Sequence, residues 1–191
     1  MNTSKKKILI LSDWYLPGYK AGGPIKSIST LIANCSDVFD LYVITSDRDL
    51  GEDKPYKNIQ SDKWNSVGDS VSVYYVSEKN INWKNLLSVI RQIEFDLIYL
   101  NSYFSRCFSI YPLLYQKFGF IKTPVLIAPR GMLGDGALQI KQTKKKVFIS
   151  LSKMLSLHKY VSWHATSKQE AQEIRKVYHS APIFTASNIP Y

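Results

Sequence analysis

Two adjacent glycines, Gly22 and Gly23, close the loop Ser12-Asp13-Trp14-Tyr15-Leu16-Pro17-Gly18-Tyr19-Lys20-Ala21-Gly22-Gly23-Pro24, which joins an apolar run to a stretch of helical period. Residues without a Cβ let an anionic group such as a diphosphate come close to main-chain amides. The helix start behind them adds free N–H groups and the positive end of a dipole. The same glycines could equally serve only to turn the chain into the helix. Their spacing is not G-x-G-x-x-G, which argues against an ordinary dinucleotide loop. A second candidate is Asp47-Arg48-Asp49, two carboxylates spaced to share a divalent cation, with Arg48 able to neutralise either one instead. A third set is Asn101, Ser102 and Arg130, which follow two apolar runs and carry donors and acceptors suited to sugar hydroxyls or a phosphate. A structural turn role is open to them as well. The three histidines, His158, His164 and His179, lie near the ends of predicted elements and read as packing or helix-terminal residues. Their spacing builds no Ser-His-Asp or Cys-His arrangement.

These residues need a scaffold, and the hydrophobic pattern supplies one. Seven short β-like runs are predicted: Ile8 to Leu11, Asp40 to Thr45, Val71 to Val76, Leu97 to Asn101, Val125 to Ala128, Tyr160 to Ala165, and Ile183 to Thr185. Helix-period stretches separate several of them. One runs from Pro24 to Cys35, with Pro24 suited to a first helical position; others follow Trp83, Leu86, Leu87, Ile90 and Ile93, and Ala171, Ile174, Val177 and Tyr178. Ser167 with Glu170 reads as a capping box that starts the last helix near Lys168. A longer helix is expected from about Gly136 to Ser156. Ala137, Ile140, Val147, Phe148, Leu151, Met154 and Leu155 share one of its faces, and Lys141, Lys145, Lys146 and Lys153 the other. Such a helix either covers the sheet with its apolar side or meets an anionic lipid surface. The alternation of strands and helices implies βαβ units: one Rossmann-like, doubly wound α/β domain with a mostly parallel sheet and helices on both faces. Its carboxyl edge then carries the Gly22-Gly23 loop, Asn101, Ser102 and Arg130. The segment Ser46 to Asp69 is the longest irregular stretch, of the kind that shapes specificity.

Composition narrows the partners. A net charge of +10 favours an anionic ligand or surface. No aromatic RNA-binding motif or helix-turn-helix is present and the lysines are not interleaved with stacking aromatics, so nucleic acid is not expected. Cys35 and Cys107 lack any CxxC spacing and read as buried thiols of a cytoplasmic protein. The apolar run after Lys7 is too short for a signal peptide or a membrane span.

Four blocks, in order along nearly the whole chain, resemble the retaining GT-B glycosyltransferases of family 4. They are Lys6-Lys7-Ile8-Leu9-Ile10-Leu11 with Gly22-Gly23-Pro24; Thr45-Ser46-Asp47-Arg48-Asp49-Leu50-Gly51; Ala128-Pro129-Arg130-Gly131-Met132-Leu133; and His164-Ala165-Thr166-Ser167-Lys168-Gln169-Glu170. The resemblance implies an N-terminal, acceptor-side domain over 1–191. Gly22 and Gly23 would contact the donor diphosphate, and Asn101, Ser102 and Arg130 the acceptor. It further implies a nucleotide-sugar donor, a saccharide or lipid-linked acceptor, a role in surface polysaccharide biosynthesis, and a place at the inner face of a membrane. No metal or cofactor is implied, since relatives carry a block like Asp47-Arg48-Asp49 without one. Many relatives place a histidine near the fourth and fifth strand ends, and this chain has none there. Ser187-Asn188-Ile189-Pro190 is similar to the turn that enters the family's second domain, which holds the basic diphosphate clamp and paired glutamates. On that basis the second domain is expected to be absent, and the chain inactive by itself. A non-catalytic carbohydrate- or nucleotide-binding module on the same scaffold is the alternative.

Overall fold

The computed structural model describes residues 5–140 and 142–188. Among them run eight strands: β1 (Lys6–Leu11), β2 (Phe39–Ser46), β3 (Trp64–Ser66), β4 (Val71–Val76), β5 (Leu97–Leu100), β6 (Val125–Ile127), β7 (Val161–Ala165) and β8 (Ile183–Thr185). They form one sheet in the order β3-β4-β2-β1-β5-β6-β7-β8. Every neighbouring pair is parallel except β3 with β4. The seven predicted strands are all present. The eighth, β3, is a three-residue antiparallel edge strand within the stretch expected to be irregular.

Among the same residues six α-helices connect the strands: α1 (Gly23–Cys35), α2 (Trp83–Ile90), α3 (Tyr111–Lys117), α4 (Asp135–Gln139), α5 (Gln142–Met154) and α6 (Lys168–Val177). A π-helical turn over Arg106–Ile110 leads into α3. Strand alternation builds two cores. In β1, Leu9 and Leu11 enter a core shared with α2, α3 and α6, while Ile10 enters one shared with Ile28 and Ile32 of α1. Helices therefore cover both faces of a Rossmann-like sheet, the doubly wound arrangement expected.

The helix expected from Gly136 to Ser156 is broken. It is split into α4 and α5, with Ile140 in extended backbone between them. Lys141, assigned above to the basic face, lies outside the described residues, as do Ile189 and Pro190 of the chain-end motif. The buried side of α5 also differs from the expected one. Phe148 and Ile149 pack on the core and Ser152 is buried, whereas Val147, Leu151, Met154 and Leu155 are exposed.

The connection order places the site. From β1 the chain moves outward through β2 to β4, then returns across both through α2 to lay β5 on the other side of β1. The border between β1 and β5 is thus the switch point, where loops leave in opposite directions and open a crevice beyond the strand ends. The Asn101 amide donates to Leu11 O at 3.0 Å, holding the two strand ends together there.

Candidate functional site

Beyond β1 the loop from Ser12 to Gly22 is anchored at several points. Asp49, after β2, accepts from the amides of Tyr19 (2.8 Å), Lys20 (3.1 Å) and its neighbour Leu50 (2.8 Å). Burial alone would push the Asp49 carboxyl up, but these three donors and the Lys20 charge hold it below the ordinary range. The Tyr75 hydroxyl donates to Leu16 O at 2.8 Å, and Lys20 forms an ion pair with Glu52. Gly18 is required by close approach: a Cβ there would stand 2.2 Å from the Tyr56 hydroxyl and 2.9 Å from Tyr15 O. The Leu16–Pro17 peptide is cis.

Gly22 ends the loop at φ 63°, ψ −110°, a backbone state that an L side chain rarely adopts. It is the N-cap of α1, and among the described residues no side chain caps this helix or places an acid in its first turn. Pro24 has no amide to satisfy, and the Lys26 amide bonds to Gly22 O. Among the described residues, neither Gly22 nor Gly23 has a neighbour within 4 Å of its absent Cβ, which leaves the approach to their main chain open on that side. In contrast, Asn82 caps α2 and Ser167 caps α6 with their side chains.

Facing this helix start is a chain of side chains from four strand ends. Asn101 Nδ2 reaches Pro24 O at 3.4 Å, and its Oδ1 accepts from Arg130 Nε at 2.8 Å. Arg130 also donates to the Tyr99 hydroxyl (2.9 Å) and to Asn188 Oδ1 (2.6 Å). The Tyr99 hydroxyl lies 2.8 Å from His164 Nδ1, and His164 Nε2 lies 2.8 Å from Ala186 O. A carbonyl only accepts, so the proton of a neutral His164 sits on Nε2. Nδ1 is then the acceptor, and Tyr99 must donate to it. Burial keeps the Tyr99 phenol protonated, pushed up to about 12 with the Arg130 charge opposing the shift. The hydrogen bonds therefore run in one direction, from Arg130 through Tyr99 and His164 to Ala186.

Arg130 itself stands at φ 56°, which costs roughly 1–2 kcal/mol for a residue with a Cβ. Glu170 holds the turn that imposes it. Its Oε1 accepts from the Gly131 amide at 2.7 Å, and its Oε2 accepts from the Thr166 amide (2.7 Å) and hydroxyl (2.6 Å). The expected capping box is half formed. Ser167 Oγ accepts from the Glu170 amide at 3.1 Å, but the carboxylate, instead of bonding back to the cap, ties the β6 turn to the β7 end. Glu170 is buried. Desolvation would raise its carboxyl, yet the bonds from Thr166 and Gly131 and the Arg130 charge outweigh it, and the acid lies below its ordinary range.

Of the residues singled out in the sequence, Gly22, Gly23, Asn101 and Arg130 come together at the switch point. Ser102 adjoins them but turns away: its hydroxyl points at Met132 Sδ (3.6 Å) and its carbonyl accepts from Ser109. Asp47 and Asp49 do not converge. Asp47 accepts from Arg48 Nε and Ser61 Oγ, both at 2.9 Å, while Asp49 faces the glycine loop. Among the described residues no group of three His, Cys, Asp or Glu side chains is placed to hold a metal ion. Cys35 and Cys107 are free and half-buried.

Four participants were missed by residue type and spacing. Tyr99 is hidden in the apolar period of β5, His164 has the spacing of a packing residue, and Glu170 has that of a cap. The fourth is Asp13, whose Oδ1 accepts from Ser105 Oγ at 2.7 Å at the mouth of the crevice and whose carboxyl burial pushes up. A separate cavity of about 550 Å³, lined by Lys153, His158, Lys159, Trp163 and Tyr178, opens away from this edge.

No protein-family model matches the chain, and no curated protein matches it by sequence. A solved structure does. HepE (Alr3699) of Anabaena, determined in complex with UDP and glucose, shares the fold with a TM-score of 0.58 over 96% of this chain at 13% identity. The chain spans 44% of the length of HepE.

Proposed function

We propose that this chain is the N-terminal, acceptor-side half of a GT-B glycosyltransferase that moves a sugar from a nucleotide-sugar to a saccharide or lipid-linked acceptor, in surface polysaccharide biosynthesis. One observation carries the reading: the uncapped start of α1 opens directly onto Asn101 and Arg130 at the switch point. The shared fold supports it, because HepE was solved with UDP and glucose.

In this reading the donor diphosphate lies against the free amides at Gly23 and Ile25, where the helix dipole favours negative charge. The amide network is already in place and needs no rearrangement as charge develops on the leaving phosphate. Neutral amides meet only part of that charge, so cationic groups from a second domain would complete the clamp. Asn101 and Arg130 orient acceptor hydroxyls, with Ser102 at their margin. Transfer proceeds with retention and without metal, as in the family that the sequence resembles.

The test compares this chain with its natural reading frame for release of nucleotide from a panel of nucleotide-sugars. The expected result is turnover by a frame that continues into a second α/β domain and none by residues 1–191 alone. Sustained turnover by this chain alone would contradict the half-site reading.

A further inference from the structure

Helix α5 is held to the protein by little of its surface. With 100° between successive residues, Lys145, Phe148, Ile149 and Ser152 point inward, and Lys145 donates to Ala137 O. Val147, Leu151 and Met154 lie together on the opposite side, 53%, 46% and 71% exposed, and Leu155 continues the stripe just past the helix end. Lys144 sits at the N-terminal end of this stripe, and exposed Lys146 and Lys153 run along one flank. Just beyond α5, Lys159 and the ring of Tyr160 are exposed as well, with the ammonium over the ring. No acidic residue occurs between Asp135 and Glu170, and Asp135 is paired with Lys176.

We infer that α5 and the turn that follows it dock this protein on an anionic lipid bilayer. The apolar stripe enters the interface while the flanking lysines meet lipid phosphates. Charge selects this occupant over an apolar protein groove: the cations have no acidic residue on α5 to neutralise them, and the chain carries +10 overall. The exposed side also carries flexible Leu, Met and Lys side chains, which suits a soft surface rather than a rigid pocket. Among the described residues no helix is long and apolar enough to cross a membrane, so the contact is one of lying on the surface. The inference stands independently of the proposed transferase activity.

Vesicle flotation tests it with this chain, using phosphatidylcholine alone and phosphatidylcholine with roughly 30 mol% phosphatidylglycerol. Two variants on exposed positions separate the contributions: Lys144→Gln/Lys146→Gln/Lys153→Gln, and Leu151→Ser/Met154→Ser. The expected result is binding to anionic vesicles only. The lysine variant should lose about a hundredfold in partitioning, and the apolar variant about tenfold or more. Absence of binding, equal binding to neutral vesicles, or unchanged binding by both variants would overturn the inference. So would a wild-type dimer in sedimentation that the Leu151→Ser/Met154→Ser variant dissociates while vesicles go unbound, since the stripe would then be a contact between copies of the chain.

Discussion

Substituting Glu170 by Gln changes one atom in the carboxylate that joins the β6 and β7 ends. The wild-type side chain accepts three hydrogen bonds, from Gly131 N, Thr166 N and Thr166 Oγ1. A carboxamide has one acceptor oxygen. If it takes the place of Oε2, two bonds survive as neutral ones and the amide nitrogen faces the Gly131 N–H, which loses its acceptor. Hydrogen bonds to charged groups contribute about 1.5–3 kcal/mol and neutral ones about 1 kcal/mol, so the two weakened bonds and the one lost sum to ~3 kcal/mol. For a domain of this size each kcal/mol moves Tm by about 2–4 °C, which gives a drop of ~6–12 °C. The pH dependence sharpens the test. Because the folded-state acid is held below its ordinary value, its stabilisation is fully present above the unfolded value and is lost as pH falls through the folded one. Urea unfolding of wild type and Glu170→Gln should therefore differ by ~3 kcal/mol at pH 7 and converge in acid. A difference under ~0.5 kcal/mol, or one that does not narrow with acid, would refute the role given to this carboxylate.

Other expectations follow from the same geometry. Gly18→Ala places a methyl against the Tyr56 hydroxyl and Tyr15 O, and should destabilise by roughly 1–3 kcal/mol, whereas Gly18→Ala with Tyr56→Phe recovers part of that in thermal unfolding. Asp49→Asn removes the charge that three amides share and should loosen the glycine loop, read as faster amide exchange at Tyr19 and Lys20 than at β1. His158 is buried with neither ring nitrogen bonded among the described residues, and burial pushes it to about 4 from 6.5. A depressed histidine contributes stability above its unfolded value that is lost as pH falls toward the folded one, here about 3 kcal/mol between pH 6.5 and 4. His158→Phe should remove that slope from urea titrations, and parallel slopes in the two proteins would show that His158 is not its source.

The sheet was legible because buried parallel strands leave dense apolar runs, and seven of them stand where the pattern put them. The edge strand β3 was not, since Trp64 and Asn65 are half-buried, Ser66 is exposed, and the three carry no alternation. The phase of α5 was misread for a physical reason. Phe148 packs on the rings of Tyr103 and Phe104 and Ile149 on the same core, and the helix turns to place small Ser152 beside them, its hydroxyl 2.7 Å from that of Tyr178. Periodicity alone favoured the larger stripe through Val147, Leu151 and Met154. At the site, Gly22, Gly23, Asn101 and Arg130 were visible because strand ends and a helix start define the carboxyl edge. Tyr99 and His164 were not, because their pairing joins residues 65 positions apart and leaves no local signature.

The claim that Gly22 and Gly23 form one wall of a donor-diphosphate site, beside the acceptor-side residues Asn101 and Arg130, is tested most directly by titrating isotopically labelled chain with UDP and following backbone and arginine side-chain signals by NMR. Weak binding, with a Kd of about 1 mM or higher, is the expected result for half of a site. The largest shifts should fall at Gly22, Gly23 and Ile25, with smaller ones at Asn101 and the Arg130 Nε, which adjoin the helix start. No shift up to about 10 mM UDP, or shifts centred on the cavity around His158 and Tyr178 with this edge unmoved, would contradict it.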